Sequence, residues 1–386
     1  MTNVFVAARE ASTTPCLVCG QPYILNEIDK NLKGDELKSR VIRIFKKMSL
    51  LSSTLPIPSP STSTLTPISG GITNALYLLS TPNSKHLIRI FGGEGMIDRD
   101  IETEMYSNLA DYLGGISYHG RFGNGRIEGF LEGYSPCTLT SMRTPSIIPS
   151  ILKLHSYIPP SGLGPTELWN QLDTWLSEAK DAQEKVNLPL INSLNLSSIS
   201  LAIKSCKSST LPLNPPIVFC HNDLLSGNIM SSGTSIQLID FEYGSPNYAA
   251  FDIANHFNEY AGGTDTGVPD YTLLMSSKEM REWITIYVEK GGGEVEEVME
   301  MVERFMEVNH YYWGLWAIVQ ARNEGVEEFP YDRYAYERFA QGAKERKKRL
   351  SASKKSWNRY AGYATLGVAA AAGIYVGWKF LGKKKK

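Results

Sequence analysis

Two short motifs decide the fold of this 386-residue chain: FCHNDLLSGNIM at residues 219–230 and IDFEY at residues 239–243. In both, polar residues follow an apolar run, which predicts polar side chains held at the ends of short strands. The run SIQLI at residues 235–239 supplies the second strand. A hairpin turn rich in Asn, Asp and Gly is the ordinary alternative for the first motif alone. The second polar group on its own strand makes that alternative unattractive, and we predict that the two motifs meet at one site.

The side chains of these motifs suit phosphoryl transfer from a nucleotide. Asp223 can accept a proton from an attacking hydroxyl, and the amide oxygen of Asn228 and the carboxylate of Asp240 are the hard ligands that Mg²⁺ prefers. The spacing matches the protein-kinase catalytic loop His-x-Asp-x-x-x-x-Asn, with Asp-Phe-Glu in place of Asp-Phe-Gly. The sequence therefore predicts Asp223 as the base and Asn228 and Asp240 as magnesium ligands.

Composition is typical of a compact enzyme with appendages. The chain is 42% hydrophobic with a formal net charge of −1, so it can build two lobes and has no general attraction to nucleic acid. Five scattered cysteines predict reduced thiols in a cytosolic protein. Cys16 and Cys19 form a lone C-x-x-C. We interpret it as part of a tail without fixed structure, and a zinc or redox site is the alternative.

Apolar periodicity divides the chain into two lobes. Its pattern predicts helices at 35–47, 99–113, 165–185 and 294–323, strands at 75–79, 86–91 and 126–131, and a flexible connection at 52–67. The chain would cross between lobes at 129–133. The predicted organisation is an N-terminal extension that could be disordered (1–34), a nucleotide-binding small lobe (35–131), a catalytic large lobe (132–343), a basic linker (344–359) and a membrane-spanning tail (360–386).

A glycine-containing turn in the small lobe, ISGGITN at residues 68–74, could approach phosphate oxygens closely. The nucleotide-binding candidates there are Ser69, Gly70, Gly71, Thr73 and Asn74, and an ordinary hairpin is the alternative. Arg89 could also hold phosphates if Glu102 fixed its guanidinium through a two-point contact. Both of these charged residues could equally lie on a solvated surface.

Motifs along most of the chain together resemble the choline/ethanolamine kinase family. They are residues 68–74, DRD at 98–100, 221–229, DFEY at 240–243, FDIANHFNEYAG at 251–262 and WGLW at 313–316, within a similarity spanning roughly 35–344. The resemblance implies an α+β, protein kinase-like bilobal fold with a small β-rich lobe and a larger, mainly helical lobe. It also implies transfer of the ATP γ-phosphate to the hydroxyl of an amino alcohol, and it places Glu242 near the metals.

The acceptor pocket can be described from the chemistry of such a cation. An ammonium group favours a carboxylate and aromatic faces, with its hydroxyl directed at Asp223. The candidates are Tyr243, Glu259, Trp313, Trp316 and Tyr334. Helix core is the alternative for the two tryptophans, because an i,i+3 aromatic pair usually packs, and a surface charge is the alternative for Glu259. His221 and His256 are predicted to bond backbone rather than to carry protons.

Ethanolamine is the predicted acceptor, because NHFNEYAGG at residues 255–263 resembles the ethanolamine kinases of the family. A primary ammonium donates hydrogen bonds, so Asn258 or a nearby carbonyl could distinguish it from choline. By resemblance, the product phosphoethanolamine would begin the CDP-ethanolamine route to phosphatidylethanolamine. The alternatives are a kinase for choline or an aminoglycoside, and a membrane-tethered scaffold without activity. Intact catalytic and metal-binding side chains make the scaffold unattractive.

The carboxyl end differs from the rest of the family. A basic run at 344–355 precedes an uncharged stretch at 361–378, which as a helix would reach about 27 Å, just enough for a bilayer core. We predict a C-terminal hydrophobic helix that anchors the chain in the endoplasmic reticulum or outer mitochondrial membrane, with the kinase in the cytosol. Gly373 and Gly377 could pair two such helices in a homodimer. A soluble Ala-rich helix and a disordered tail are the alternatives.

Overall fold

The computed structural model describes residues 16–18, 21–52, 55–68, 74–92, 99–327 and 329–351. The strands in this part of the chain are β1 (Cys16–Val18), β2 (Gln21–Ile24), β3 (Thr64–Ile68), β4 (Asn74–Ser80), β5 (Lys85–Phe91), β6 (Tyr118–Phe122), β7 (Gly125–Gly129), β8 (Ser135–Pro136), β9 (Ile217–Cys220), β10 (Ile229–Ser231), β11 (Ile236–Leu238) and β12 (Ser245–Tyr248). The helices are α1 (Gly34–Ser49), α2 (Arg99–Leu113), α3 (Ile148–His155), α4 (Leu168–Lys185), α5 (Pro189–Asn192), α6 (Leu196–Thr210), α7 (Ala249–Asn258), α8 (Ser277–Gly291), α9 (Val295–Glu324) and α10, described over 331–351.

The small lobe is built on one mixed sheet. Its strand order is β1-β2-β6-β7-β5-β4-β3, and only the β2–β6 pair is parallel. Helix α1 packs on this sheet through Leu37, Val41, Ile44 and Phe45, which recur at helical spacing on its buried face. Acidic residues in the first turn of α1 and lysines in its last turn oppose the helix dipole favourably. A separate apolar core therefore forms in this lobe.

The sequence did not predict β6, and two boundaries in this lobe also differ from the prediction. Residues 64–67, which we assigned to a flexible connection, belong to β3, and Pro67 lies within that strand. Since β3 pairs only with β4, at the edge of the sheet, a residue without an N–H is tolerated there. Strand β2, which we assigned to the N-terminal extension, pairs with β6 and buries Tyr23 and Ile24. The sheet of the small lobe therefore begins before residue 35.

The large lobe is mainly helical. Helix α9 is its central element, packing against α4, α6, α7 and α8, and it is buried along most of its length after Met299. The short strands of this lobe form two small sheets: β9 pairs with β12, and β10 lies between β8 and β11. Strand β11 falls within the strand predicted at residues 235–239, and α2 has the bounds predicted for it. These strands bring the two polar motifs to one edge of the lobe.

The predicted hydrophobic tail, residues 360–386, lies outside the described residues. Among those that are described, none of the helices combines the length and apolar character needed to cross a bilayer.

Candidate active site

The predicted base lies in the loop that follows β9. Asn228 donates through Nδ2 to the carboxylate Oδ2 of Asp223 at 2.9 Å and to the main-chain oxygen of Asp223 at 2.9 Å. This double contact fixes the carboxylate relative to the loop. Because the amide nitrogen of Asn228 is engaged by Asp223, its oxygen Oδ1 is the atom that it can offer to a cation.

Helix α7 holds this loop by its main chain. The carboxylate of Asp252 accepts hydrogen bonds from the backbone N–H groups of His221 (3.0 Å) and Asn222 (2.7 Å). Asn255 accepts one from the backbone N–H of Leu224 at 2.5 Å. Asn222 adopts a left-handed backbone with φ 66°, which Asn tolerates better than most residues. The position of Asp223 is therefore set by a buried helix rather than by the loop itself.

A buried histidine braces the same carboxylate. His155 lies 3.0 Å from Asp252 through Nε2 and 2.8 Å from the hydroxyl of Tyr287 through Nδ1. Since an ionised carboxylate only accepts hydrogen bonds, Nε2 of His155 is the donor to Asp252. Burial alone raises the pKa of Asp252, but the contacts with His155 and His221 outweigh it and lower that pKa. Asp252 is therefore held ionised under the loop.

The histidines of the motifs bond backbone, as predicted. His221 contacts the carbonyl of Ile239 at 2.9 Å through Nε2, and His256 contacts the carbonyl of Leu224 at 3.5 Å through Nδ1. Burial lowers the pKa of His256 to about 4. Both rings therefore join segments of the site and are unsuited to carrying protons at neutral pH.

The two carboxylates predicted to bind metal lie together under arginines of the small lobe. Asp240 accepts from Arg89 at 3.1 Å, and Glu242 accepts from Arg99 at 3.3 Å. Asp240 has a left-handed backbone with φ 63°, a strained conformation of the kind often found at functional sites. Burial and the neighbouring charge of Asp240 raise the pKa of Glu242 to about 7.

Such crowding of acidic groups fits a divalent cation, whose charge would relieve it. Asn228, Asp240 and Glu242 together offer amide and carboxylate oxygens, the donor set that Mg²⁺ prefers. A bound ion would neutralise charge on the phosphates of a nucleotide.

A buried ion-pair cluster in the small lobe orients Arg89. Glu128 accepts from Nε of Arg89 at 2.8 Å and from Nε of Arg126 at 2.6 Å. Burial by itself raises the pKa of Glu128, but these two guanidinium groups outweigh it and lower the pKa to about 2. Glu102 binds Arg126 at 2.7 Å and Arg99 at 2.9 Å, and its charge also acts on Arg89.

The carboxylate that holds Nε of Arg89 is thus that of Glu128, where we had expected Glu102. Glu128 and Arg126 were missed by sequence reasoning. The available signal was the presence of charged side chains on the strand Gly125–Gly129, which is buried along most of its length.

The phosphate-binding turn is only partly described. Ser69, Gly70, Gly71 and Thr73 lie outside the described residues, and their role stays a prediction. Asn74 is the first residue of β4, is buried, and lies opposite Phe91 in β5.

The acceptor candidates begin beside the carboxylates of Asp240 and Glu242. Tyr243, which follows Glu242, packs edge-on against Trp313 with 5.2 Å between ring centroids. Trp313 packs against Trp316 one turn along α9, also at 5.2 Å. Trp316 donates from Nε1 to the hydroxyl of Tyr243 at 2.9 Å. These three residues therefore form one aromatic group next to the metal-binding candidates.

From Trp316, a row of contacting aromatic rings continues toward Glu259. Trp316 contacts Tyr331 at 5.6 Å, and Phe329 bridges Tyr331 and Tyr334 at 4.8 and 5.7 Å between centroids. Tyr334 accepts two hydrogen bonds from Arg338, which also donates to Glu259. Glu259 is only 2% exposed, so the surface alternative for it is wrong.

The five acceptor candidates thus belong to one continuous group. Phe329, Tyr331 and Arg338 complete it and were missed by sequence reasoning. The available signal was the aromatic spacing of residues 329–334, with an arginine one helical turn further on.

Comparison with known proteins matches this geometry to a family. The sequence profile of the choline/ethanolamine kinases matches residues 65–343. The chain belongs to the choline/ethanolamine kinase family. A probable ethanolamine kinase A from Dictyostelium discoideum is 35% identical to this kinase over 302 residues, covering 72% of this chain and 83% of the relative.

Two further relatives include a protein named as a choline kinase and a solved ethanolamine kinase structure. A probable choline kinase 1 from Arabidopsis thaliana is 31% identical over 296 residues, covering 71% of this chain and 84% of the relative. The solved structure of an ethanolamine kinase from Plasmodium vivax has a TM-score of 0.67 and 25% identity, covering 82% of this chain and 95% of that one. The chain therefore shares the kinase-like α+β fold. Relatives named as ethanolamine kinases and as choline kinases have similar sequence identities to it.

The electrostatics of this kinase connect its catalytic and acceptor groups. Burial raises the pKa of Asp223, and the charges of Glu259, Glu242 and Asp240 raise it further, whereas the hydrogen bond from Asn228 opposes them. Glu259 contributes most among the charges, so the far end of the aromatic group acts on Asp223. A carboxylate with a raised pKa is a stronger base toward a hydroxyl, which suits the role predicted for Asp223.

Proposed function

We propose that this kinase transfers the γ-phosphoryl group of ATP to the hydroxyl of ethanolamine with Mg²⁺ as the cofactor. One observation carries the proposal: a row of aromatic rings runs from the carboxylates at residues 240–242 to the buried carboxylate of Glu259. A small ammonium placed along this row would have a negative partner and aromatic faces, and its hydroxyl could reach Asp223.

Each group would act through its position. Asp223, fixed by Asn228, would take the proton of the acceptor hydroxyl as the oxygen attacks phosphorus. Arg89, held by Glu128, would bind phosphate oxygens. The turn at residues 69–74 would add backbone N–H donors to the same phosphates.

Ethanolamine is the proposed acceptor because relatives named for it match most of the chain, beginning with the Dictyostelium protein. Choline is the second candidate. It is favoured by the aromatic character of the row, since aromatic faces also suit a quaternary cation, and by the match to a relative named as a choline kinase.

A substrate panel tests the proposal directly. The purified full-length chain is assayed with ATP and Mg²⁺ on ethanolamine, choline and an aminoglycoside, with Asp223→Ala as the inactive control. We expect kcat/KM on ethanolamine to exceed that on choline by about tenfold or more, a difference of about 1.4 kcal/mol. If kcat/KM is higher on choline, choline is the acceptor. If the chain turns over neither amine, the proposed function is rejected.

We also propose that the segment after residue 360 anchors this kinase in an intracellular membrane, with the catalytic lobes in the cytosol. The support is the uncharged stretch at 361–378 between lysine-rich flanks. Carbonate washing of membranes from cells expressing the full chain, or a chain ending at residue 351, tests this. The full chain should stay with the membrane and the shorter one should not; release of both would contradict the anchor.

A further inference from the structure

Arg99 belongs to the DRD motif at residues 98–100, to which the proposed function assigns no role. It is the first residue of α2, and its Nη1 donates to Oε2 of Glu102 at 2.9 Å and to Oε2 of Glu242 at 3.3 Å. Arg89 has the same kind of surroundings, since it also contacts one carboxylate of the small lobe and one predicted metal ligand. Two arginines of the small lobe therefore reach the predicted metal site, and each is also bound by a glutamate of its own lobe.

The first turn of α2 fixes the main chain of Arg99. Its carbonyl oxygen accepts from Nη1 of Arg121 and from Oγ1 of Thr103, both at 2.7 Å. Arg121, which is buried in β6, also forms an ion pair of 2.5 Å with Asp100. Hydrogen bonds to a charged group are among the strong ones, so they hold this end of the helix against the sheet. The side chain of Arg99 therefore extends from a fixed point on α2.

The guanidinium of Arg99 has donors that the described residues do not use. Nη1 makes both ion pairs, whereas Nε and Nη2 have no hydrogen-bond partner in the part of the chain that the structure describes. Phe91 lies against the guanidinium, with 5.2 Å between Cζ and the ring centroid. The side chain of Arg99 is 14% exposed, against 4% for Arg89, so a ligand can reach it. Nε and Nη2 form an edge of the guanidinium that can bind a phosphate at two points.

The charges around Arg99 favour an anionic ligand when a cation is bound. Glu242 is the more distant of its two carboxylate partners, and it is also a predicted ligand of Mg²⁺. A carboxylate that coordinates a divalent cation has less charge left for an ion pair. The other partner, Glu102, is shared with Arg126, which binds it at 2.7 Å. Arg99 would then carry positive charge that no carboxylate fully neutralises, beside the predicted metal site.

We propose that Arg99 is a second phosphate-binding arginine, which uses its Nε–Nη2 edge to bind the β- and γ-phosphates of the nucleotide. These two phosphates are the ones concerned, because Mg²⁺ in kinases bridges their oxygens and Arg99 lies against a predicted Mg²⁺ ligand. AMP has neither of them and offers Arg99 nothing to bind. This inference rests on the proposed function and adds a binding residue to its nucleotide site.

Nucleotide binding to the full-length chain tests this without turnover. Isothermal titration calorimetry gives Kd for ATP, ADP and AMP, each with Mg²⁺ and with no amine present. Arg99→Met removes the guanidinium at similar length, and Arg99→Lys keeps the charge but loses the two-point contact. Arg322→Met is the matched control, because Arg322 is a partly buried arginine of α9 that pairs with Asp181 of α4 at 3.5 Å in the large lobe. Thermal unfolding checks that each variant folds.

For Arg99→Met we expect the Kd of ATP to rise about ten- to a hundredfold, the range for losing charge-assisted hydrogen bonds. The Kd of ADP, which lacks the γ-phosphate, should rise less, and that of AMP should change by less than about twofold because it makes no such bond. Arg99→Lys should give values between those of the wild type and Arg99→Met. Arg322→Met should leave all three Kd values unchanged, since its ion pair joins two helices of the large lobe.

An equal rise in the Kd of all three nucleotides, or no rise in any, would overturn the inference. If Arg99→Met does not fold, Arg99→Lys gives the comparison, because it leaves a positive charge between Glu102 and Glu242. The ratio of the Kd of AMP to that of ATP should still fall about three- to tenfold, and an unchanged ratio would also overturn the inference. A wild-type chain that binds ATP but phosphorylates neither amine rejects the proposed function and leaves the binding test intact, so the two failures are distinguishable.

Discussion

The proposed catalytic segment, residues 221–242, and the proposed acceptor group from Tyr243 to Arg338 are adjacent but are held in different ways. The catalytic segment is continuous in the chain, and main-chain hydrogen bonds to Asp252 and Asn255 of α7 fix it. The acceptor group is drawn from four separate parts of the large lobe, and contacts between side chains hold it. A change in the first should therefore affect the rate of transfer, and a change in the second should affect which amine binds.

The base provides the strongest test of this division. Asp223→Ala should lower kcat on the order of a thousandfold, because proton removal from the hydroxyl loses its acceptor. The KM of the amine and the Kd of the nucleotide should stay within about threefold. Steady-state kinetics and nucleotide titration measure these, with the exposed Asp173→Ala in α4 as the control. Unchanged turnover would remove Asp223 from the role of base.

The support under the loop is the next test. Asp252→Asn places an N–H₂ group against the backbone donors of the loop, so at pH 7 we expect a loss of about 2–4 kcal/mol in the free energy of unfolding. Turnover should fall by roughly tenfold or more, since the base is no longer held in place. Denaturant unfolding and kcat measure both quantities, with the exposed Asp173→Asn as the control.

The loss of stability in Asp252→Asn should depend on pH. The pKa of Asp252 in the folded chain lies below its ordinary value of 3.8, so its ionised form stabilises the fold above that pH. This contribution is lost as the pH falls below about 3.8 toward the folded-state pKa. The difference between variant and wild type should therefore shrink in that window. A difference that stays constant from pH 7 to pH 3 would contradict an ionised Asp252.

Trp316 tests whether the acceptor group binds or only packs. Trp316→Phe weakens the aromatic face and removes the bond to Tyr243, so the KM of both amines should rise about three- to tenfold with little change in kcat. Trp283→Phe is the matched control, because Trp283 is a buried tryptophan that packs on α7 in the core. If both variants lose stability and neither changes KM, the tryptophans on α9 belong to the core.

The smallest effect is expected at the hydroxyl of Tyr243. Tyr243→Phe leaves Nε1 of Trp316 without this acceptor, which should lower the free energy of unfolding by about 1 kcal/mol. The KM of ethanolamine should rise about two- to threefold. Tyr336→Phe, at a more exposed tyrosine in α10, serves as the control for both measurements. If kcat changes more than KM, Tyr243 acts with the catalytic segment, and the division between that segment and the acceptor group is weakened.

The amino-acid sequence by itself was enough to predict the catalytic segment, because the residues proposed for it lie close together in the chain. Asp223 and Asn228 are five residues apart, Asp240 follows the next strand, and the histidines that bond backbone lie in the same motifs. It also determined α2 and three strands of the small lobe, β4, β5 and β7, to within a few residues, since apolar periodicity fixes which face is buried. It did not predict β1, β2 or β6. It did not give β3, because an edge strand containing proline has the composition of a loop.

Only the tertiary structure decided which charges share a partner. Glu128 rather than Glu102 holds Nε of Arg89, because strands β5 and β7 are adjacent in the sheet. Arg338 holds Glu259 although α10 is far from α7 in the chain. Ion pairs of this kind depend on the packing of distant elements, and no spacing in the sequence records them. The residues proposed for phosphoryl transfer could therefore be predicted from the sequence, whereas the contacts that fix Arg89 and Glu259 are set by the packing of the fold.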